Sequence, residues 1–298
     1  MVMQFSKRYQ MWIALLVLFS GSRSVVVAED IFPDKALDMV VRRQVFAKRG
    51  NQEPLTLEDL AKVSRVAGKG KKIASLEGLQ HCRFLLDIDL ENNEISDCTP
   101  LRDLKLVQKL TLSGNKIETI EPLKELTSLQ YLDVSRNAIQ DLEPIRKMRI
   151  LRSLYFEENQ IRSLAPLEPC KKLWSIYGSK NPIEDFSALS TLSNVDTLHL
   201  NETRLSVLTS TGLSERAVEK GHTKLRNLSL RGNLISDLSL LVNIQDSFIA
   251  EQRAGALFKK PKPLSLFRID LMGNPLSDVS TTEQLPKLRK LPFFIEFD

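Results

Sequence analysis

The chain has 298 residues, 42% of them hydrophobic, ample material for one long core. Its 42 basic and 37 acidic residues give a formal +5, but Lys7, Arg8 and Arg23 fall in an acid-free N-terminal stretch, leaving 39 against 37, or +2. That balance argues against a nucleic-acid partner, whose phosphates reward a clearly basic face.

Residues 1–28 have the layout of an export signal. Lys7 and Arg8 open it, Met11 to Phe19 is a short apolar run, and Val26-Val27-Ala28 is a small-residue cleavage site ahead of Glu29-Asp30. The alternative is a membrane anchor, but the run is about half of the ~20 residues needed to cross a bilayer. No cysteine stands at the cut to carry a lipid, and no other segment is suited to spanning. The expected product is exported to the periplasm, the cell surface or the medium, with no transmembrane anchor after cleavage.

Residues 29–62 read as a helical N-terminal cap. Phe32-Pro33-Asp34 leads into Leu37, Val40, Val41 and Val45, spaced for one apolar helix face. Thr56 and Asp59 form a capping pair for a second short helix through Leu60 and Val63.

Residues 63–280 repeat. Lys71, Asn93, Asn115, Asn137, Asn159, Asn181, Thr203, Asn233 and Asn274 mark one site of a pattern whose first six steps are 22 residues each. Around each the chain reads L-x-x-L-x-L-x-x-N-x-I/L, as at Leu129, Leu132, Val134, Asn137 and Ile139. A fixed period of this length sets the whole architecture. The expectation is an α/β leucine-rich repeat solenoid, with a parallel concave sheet and a 3₁₀ or extended convex side.

The Asn has a physical task. The bend after each strand leaves backbone N–H and C=O groups that need partners, and a side-chain amide offers both donors and an acceptor. Asn93, Asn115, Asn137, Asn159, Asn181, Asn233 and Asn274 are therefore expected to form a structural ladder. Thr203 supplies only a hydroxyl, so a local irregularity is expected there. Segments such as Cys98-Thr99-Pro100-Leu101 and Glu121-Pro122-Leu123 suit the convex side, because proline fixes φ and lacks a donor.

The period then loosens. Insertions fall near 210–222, a candidate surface helix ending at Gly221, and near 242–263, which carries the basic run Lys259-Lys260-Pro261-Lys262-Pro263. Residues 281–298 read as a terminal strand and C-terminal cap: Leu285, Leu288, Leu291 and Phe293 restate the strand template and put Glu296 at the ladder position. Phe294, Ile295 and Phe297 leave an apolar edge that either folds back or is covered by a partner. Cys82, Cys98 and Cys170 all stand where other turns place core residues and are read as inert buried thiols; Cys82 with Cys98 is the one local disulfide candidate.

The cap Ile31-Phe32-Pro33-Asp34, the segment Ile73-x-Ser75-Leu76-Glu77-Gly78-Leu79 and the 22-residue turns with N-x-I-S-D-x-x-P-L resemble the bacterial internalin-type leucine-rich repeat family. The resemblance covers roughly residues 30–280. It implies an exported, bacterial protein that recognises protein partners through its concave face.

Alternate strand residues should face that concave side. Four residues before the ladder positions stand Asp89, Thr111, Asp133, Tyr155, Tyr177, His199, Ser229 and Asp270; six before stand Asp87, Lys109, Tyr131, Ser153, Ser175, Thr197, Asn227 and Arg268. Strands ~4.8 Å apart would join Tyr131, Tyr155, Tyr177 and His199 into an aromatic path, with Asp89, Asp133, Glu157 and Glu158 as a selective rim and Arg136, Lys180, Arg231 and Arg268 as positive points. Large rings with polar tips suit protein recognition, although an exposed sheet also packs such rings as ordinary cross-strand pairs. His81, His199 and His222 are far apart in sequence, no H-x-x-x-H or C-x-x-C spacing suggests zinc, and no G-x-S-x-G or phosphate loop is present. No cofactor or metal is implied. The function expected is non-enzymatic protein–protein binding. The alternatives are a structural or glycan-binding envelope component and a regulatory subunit of an enzyme.

Overall fold

The computed structural model describes residues 31–211, 224–244, 268–289 and 294–297. The export signal, the candidate helix ending at Gly221 and the basic run 259–263 lie outside them. Within the described residues no helix is long and apolar enough to cross a membrane.

Three-residue strands stack in chain order as one parallel sheet: β1 (Arg65–Ala67), β2 (Asp87–Asp89), β3 (Lys109–Thr111), β4 (Tyr131–Asp133), β5 (Ser153–Tyr155), β6 (Ser175–Tyr177), β7 (Thr197–His199), β8 (Asn227–Ser229), β9 (Arg268–Asp270) and β10 (Phe294–Glu296). From β2 to β9 each strand occupies the positions six to four residues before its ladder residue. Its central side chain points into the core: Ile88, Leu110, Leu132, Leu154, Ile176, Leu198, Leu228 and Ile269 are all at most 2% exposed. The flanking residues are left on the concave face, as the two-residue period of a strand requires. On the convex side short 3₁₀ segments return the chain. Those at Thr99–Leu101, Glu121–Glu125, Glu143–Lys147 and Ala165–Leu167 each begin with a proline in the first turn, where no donor is needed.

The Asn ladder runs from Asn93 to Asn274 and is interrupted at Thr203. Asn115 Nδ2 donates to Leu90 O (3.1 Å) and Leu112 O (2.8 Å), while its Oδ1 accepts from Ile95 N (3.0 Å). The same pattern recurs at Asn137, Asn159 and Asn181. Asn233 and Asn274 carry it across both insertions, so those segments interrupt the sequence without breaking the frame. The irregularity expected at Thr203 is present. Its hydroxyl lies 2.9 Å from Leu200 O, and Ile183 N, deprived of an amide oxygen, donates instead to Asn181 O (2.9 Å). Both turns without an Asn also place the following residue in the left-handed region, Lys72 at φ 60° and Arg204 at φ 63°.

The cap is α1 (Lys35–Arg42), which buries Leu37, Val40 and Val41, followed by α2 (Leu57–Leu60), whose start is closed by the reciprocal Thr56–Asp59 capping box. Asp34 does two jobs. Its Oδ1 accepts from Ala36 N (2.9 Å) and Leu37 N (3.0 Å), capping α1, and its Oδ2 accepts from Ala74 N (2.8 Å) and Ser75 N (3.1 Å) in the first turn. Beside this joint Gly78 has φ 103°, and a Cβ there would stand 2.3 Å from Ile31 O and 2.5 Å from the Phe32 ring. The two motifs quoted from either side of the cap are thus halves of one contact.

All three cysteines are buried free thiols in core register. Burial pushes Cys82 up to about 12, and burial together with the Asp97 charge does the same to Cys98; burial pushes Cys170 up to about 11.

The C-terminus departs from the expected register. Leu285 and Leu288 belong to a helix, α3 (Leu285–Leu288), which follows a wider π-helical stretch, Ser280–Gln284. β10 then pairs Phe294 with Arg268, Ile295 with Ile269 and Glu296 with Asp270. Glu296 is therefore a strand residue opposite Asp270, four positions from the ladder site assigned by the leucine template. A three-residue leucine spacing fits a helix face as well as a repeat strand, and here the helix takes Leu285 and Leu288. Ile295 and Phe297 pack against the core only partly, and the Arg289 guanidinium lies 4.8 Å from the Phe297 ring centroid.

Candidate functional site: an aromatic path on the concave sheet

Tyr131 stands on β4, Tyr155 on β5, Tyr177 on β6 and His199 on β7, all half-buried on the concave face. Tyr155, Tyr177 and His199 are direct register neighbours, whereas Tyr131 lies in the row two residues earlier and reaches Tyr155 diagonally. Ring centroids are 5.2 Å apart for Tyr131–Tyr155 (tilted), 4.4 Å for Tyr155–Tyr177 (stacked, 5° between planes) and 4.6 Å for Tyr177–His199 (edge-on, 70°). The four rings form one unbroken path, in the offset and edge geometries that aromatic quadrupoles favour.

The rim divides. Asp89 is on β2 and Asp133 on β4, both half-buried, and each braces its own bend, with Asp89 Oδ1 accepting from Glu91 N (3.3 Å) and Asp133 Oδ1 from Ser135 N (3.0 Å). Glu157 and Glu158 lie beyond the end of β5, in the bend. Glu157 is half-buried with its carboxyl pushed above the ordinary 4.5 by burial and by the Asp133 charge, which outweigh a bond from Ser179. Glu158 is exposed, has φ 53°, and pairs with Lys180 (3.2 Å). The structure brings Asp89, Asp133 and Glu157 to the tyrosines and leaves Glu158 with a counter-ion.

Of the expected positive points, Arg136 is bound to Glu91 (3.2 Å), Lys180 to Glu158 and Arg268 to Glu296 (2.6 Å). Arg231 is 3.4 Å from Met272 Sδ. A residue outside the expected contact set also joins the path: Lys109 Nζ sits 5.4 Å from the Tyr131 ring centroid, from the neighbouring strand in the same row. The signal for it was its register, six residues before Asn115.

Past His199 the row of rings steps down to Ser229 and rises again at Asp270, leaving an open depression of about 420 Å³ lined by Tyr177, Thr197, His199, Asn227, Leu228, Ser229, Arg268 and Asp270. Burial and the Arg268 charge hold His199 below 6.5, against the pull of Asp270.

A family model described as leucine-rich repeats (two copies) matches residues 105–147, the β3–β4 turns. Internalin C2 of Listeria monocytogenes aligns over 90% of this chain and 95% of its own, with a TM-score of 0.62 and 24% identity. The chain has the internalin-type leucine-rich repeat fold. A leucine-rich repeat protein of Leptospira interrogans aligns over 74% of this chain and 56% of its own, at TM-score 0.54 and 17% identity. An internalin F structure from Listeria monocytogenes aligns over 91% and 92% at 21% identity, with a TM-score of 0.48. No curated protein matches the sequence. In an internalin-type solenoid the bends supply the ladder and the strands supply the face, so the path described above is the part of each repeat left over once the frame is satisfied.

Proposed function

We propose that this is an exported, non-enzymatic protein that binds another protein through its concave sheet. The observation that carries the reading is the unbroken path Tyr131–Tyr155–Tyr177–His199, set on a rigid sheet and half-open to solvent. A frame that is already satisfied gains little from four contiguous rings on its solvent face, whereas a partner gains large rigid contact area with polar tips. Export rests on the layout of residues 1–28.

The depression at Tyr177, His199, Asn227, Arg268 and Asp270 favours a second reading, a glycan-binding envelope component, because ring faces beside amide, guanidinium and carboxylate groups suit a sugar. One experiment separates them. The protein recovered from native envelope and secreted fractions is expected to begin at Glu29 and to capture a protein that a Tyr131→Ala, Tyr155→Ala, Tyr177→Ala variant of equal helicity and melting temperature fails to capture. Equal capture by both removes the concave-face reading. Binding on a glycan array without a captured protein replaces it with the second one, and an intact Met1 removes export by cleavage.

A further inference from the structure

We propose that the partner of this concave face presents a basic segment, whose lysine or arginine side chains lie against the tyrosine rings between Asp89, Asp133 and Glu157. The inference rests on the concave-face reading above and names the chemistry of what that face takes.

The first ground is how the charges on the face are disposed. Its cations are mostly committed to acids of the frame: Arg65 to Asp87 (3.2 Å), Arg136 to Glu91, and Arg268 to Glu296. Lys69 is likewise held by Glu91. Among the described residues no lysine or arginine lies within ion-pair distance of Asp89, Asp133, Glu157 or Asp270. Asp133 stands by both Tyr131 and Tyr155, Glu157 by Tyr155, and Asp89 two strands away toward Tyr131, while Asp270 lines the depression with His199. The chain outside its first 28 residues is nearly balanced in charge, so this acidity is a local feature of the path.

The second ground is that these charges are felt where the rings are. After burial, the causes that raise the Tyr131 hydroxyl include Asp133, Asp89 and Glu91; for Tyr155 they include Asp133 and Glu157. Half-buried carboxylates in mutual repulsion are relieved by a cation brought in from outside, and such a gain is larger at a partly desolvated interface than in open water.

The third ground is steric and electronic. Lys109 already places an ammonium over Tyr131 at 5.4 Å, which shows that this surface accommodates a cation on a ring. Tyr155, further along the path, offers the same quadrupole with Asp133 and Glu157 beside it and, among the described residues, no lysine over its ring. A segment running across β4 to β7 with basic side chains at intervals would meet rings and carboxylates alternately. An acidic segment would meet uncompensated carboxylates, which cost several-fold or more in affinity.

The test is selection of short random peptides by the full chain. Peptides that bind the parent but not the Tyr131→Ala, Tyr155→Ala, Tyr177→Ala variant are expected to be enriched in lysine and arginine. They are expected to lose about tenfold or more in affinity toward a carboxylate-neutral variant, Asp89→Asn with Asp133→Asn and Glu157→Gln, and to weaken with added salt. Unchanged melting temperatures of both variants keep folding out of the comparison. Tyrosine-dependent peptides that are neutral or acidic, or that bind the carboxylate-neutral variant equally well, overturn the basic-partner inference and leave the concave-face reading standing. Peptides indifferent to the tyrosines, or none selected at all, overturn both.

Discussion

At the residue scale, the ladder Asn and its replacement at Thr203 make a direct comparison. Asn159 is buried; its Nδ2 donates to Val134 O (3.0 Å) and Phe156 O (3.0 Å), and its Oδ1 accepts from Ile139 N (2.9 Å). Alanine would leave these buried backbone groups without partners, at about 1–3 kcal/mol for each group not recovered by water. Asn159→Ala should therefore cost about 3 kcal/mol. Thr203 offers a single hydroxyl, its Oγ1 2.9 Å from Leu200 O and 3.1 Å from Asn233 Oδ1, with one hydrogen to share between them. Its surroundings have already adjusted through the Ile183–Asn181 contact, so Thr203→Val should cost only about 1 kcal/mol. Urea unfolding followed by circular dichroism measures both; equal losses would mean that the Asn side chains are not what satisfies the bends. The same scale shows a pairing hidden from the sequence. Gly178 occupies a core position filled elsewhere by Leu112, Val134 or Leu200, and a Cβ there would lie 2.3 Å from Phe156 Cζ. The large ring of one turn and the bare backbone of the next fill one space, as close packing demands.

At the element scale, the strands and bends were legible because a 22-residue period fixes each position relative to its neighbours, and a slip of one residue would turn every core side chain outward. The aromatic path was legible for the same reason: Tyr155 and Tyr177 are one period apart. The C-terminal strand was not, because Leu285 and Leu288, which fit the strand template, equally suit the face of α3. The cap joint was half legible. Asp34 reads as an N-cap from its place before Leu37, but its second pair of donors, at Ala74 and Ser75, is 40 residues away. That joint carries a pH signature. Burial acts to raise the Asp34 carboxyl, yet backbone donors at Ala74, Leu37, Ser75 and Ala36 together outweigh it and hold it below the ordinary 3.8. A depressed folded value means that the contribution to stability is present above the unfolded value near 3.8 and is lost as pH falls through the folded one. Asp34→Asn keeps one acceptor oxygen and loses the charge, so it should lower stability by about 1 kcal/mol at neutral pH. The gap between parent and variant should close below pH 3.8, read as melting temperatures across pH 2–7. A gap that stays constant with pH would show that the carboxylate charge contributes nothing at this joint.

At the scale of the whole molecule, the two ends of the solenoid are unlike. In a repeat array each turn touches only its neighbours, so stability is approximately a sum of turn and interface contributions, and an end turn has one interface where a middle turn has two. The N-terminal end is closed by Phe32, Leu37, Val40, Val41 and Leu60, none more than 3% exposed. At the C-terminal end stands β10, where Ile295, and Phe297 just after the strand, are only half-buried. The same backbone bond occurs in both settings. Leu112 N donates to Asp133 O (2.7 Å) in the middle of the array, and Leu271 N donates to Glu296 O (2.8 Å) at its end. Their lengths are nearly equal, so any difference in hydrogen exchange reports the opening of the surrounding turns, not the strength of the bond itself. Leu271 should exchange through fraying of β10 alone, while Leu112 is released only by opening of several packed turns, and its protection should exceed that of Leu271 by about two orders of magnitude or more. Protection at Leu271 as high as at Leu112 would require the C-terminal edge to be sealed as firmly as the N-terminal one. In that case the partly packed strand would be the final stave of a closed frame, and the concave path would stand on a sheet that opens only as one unit.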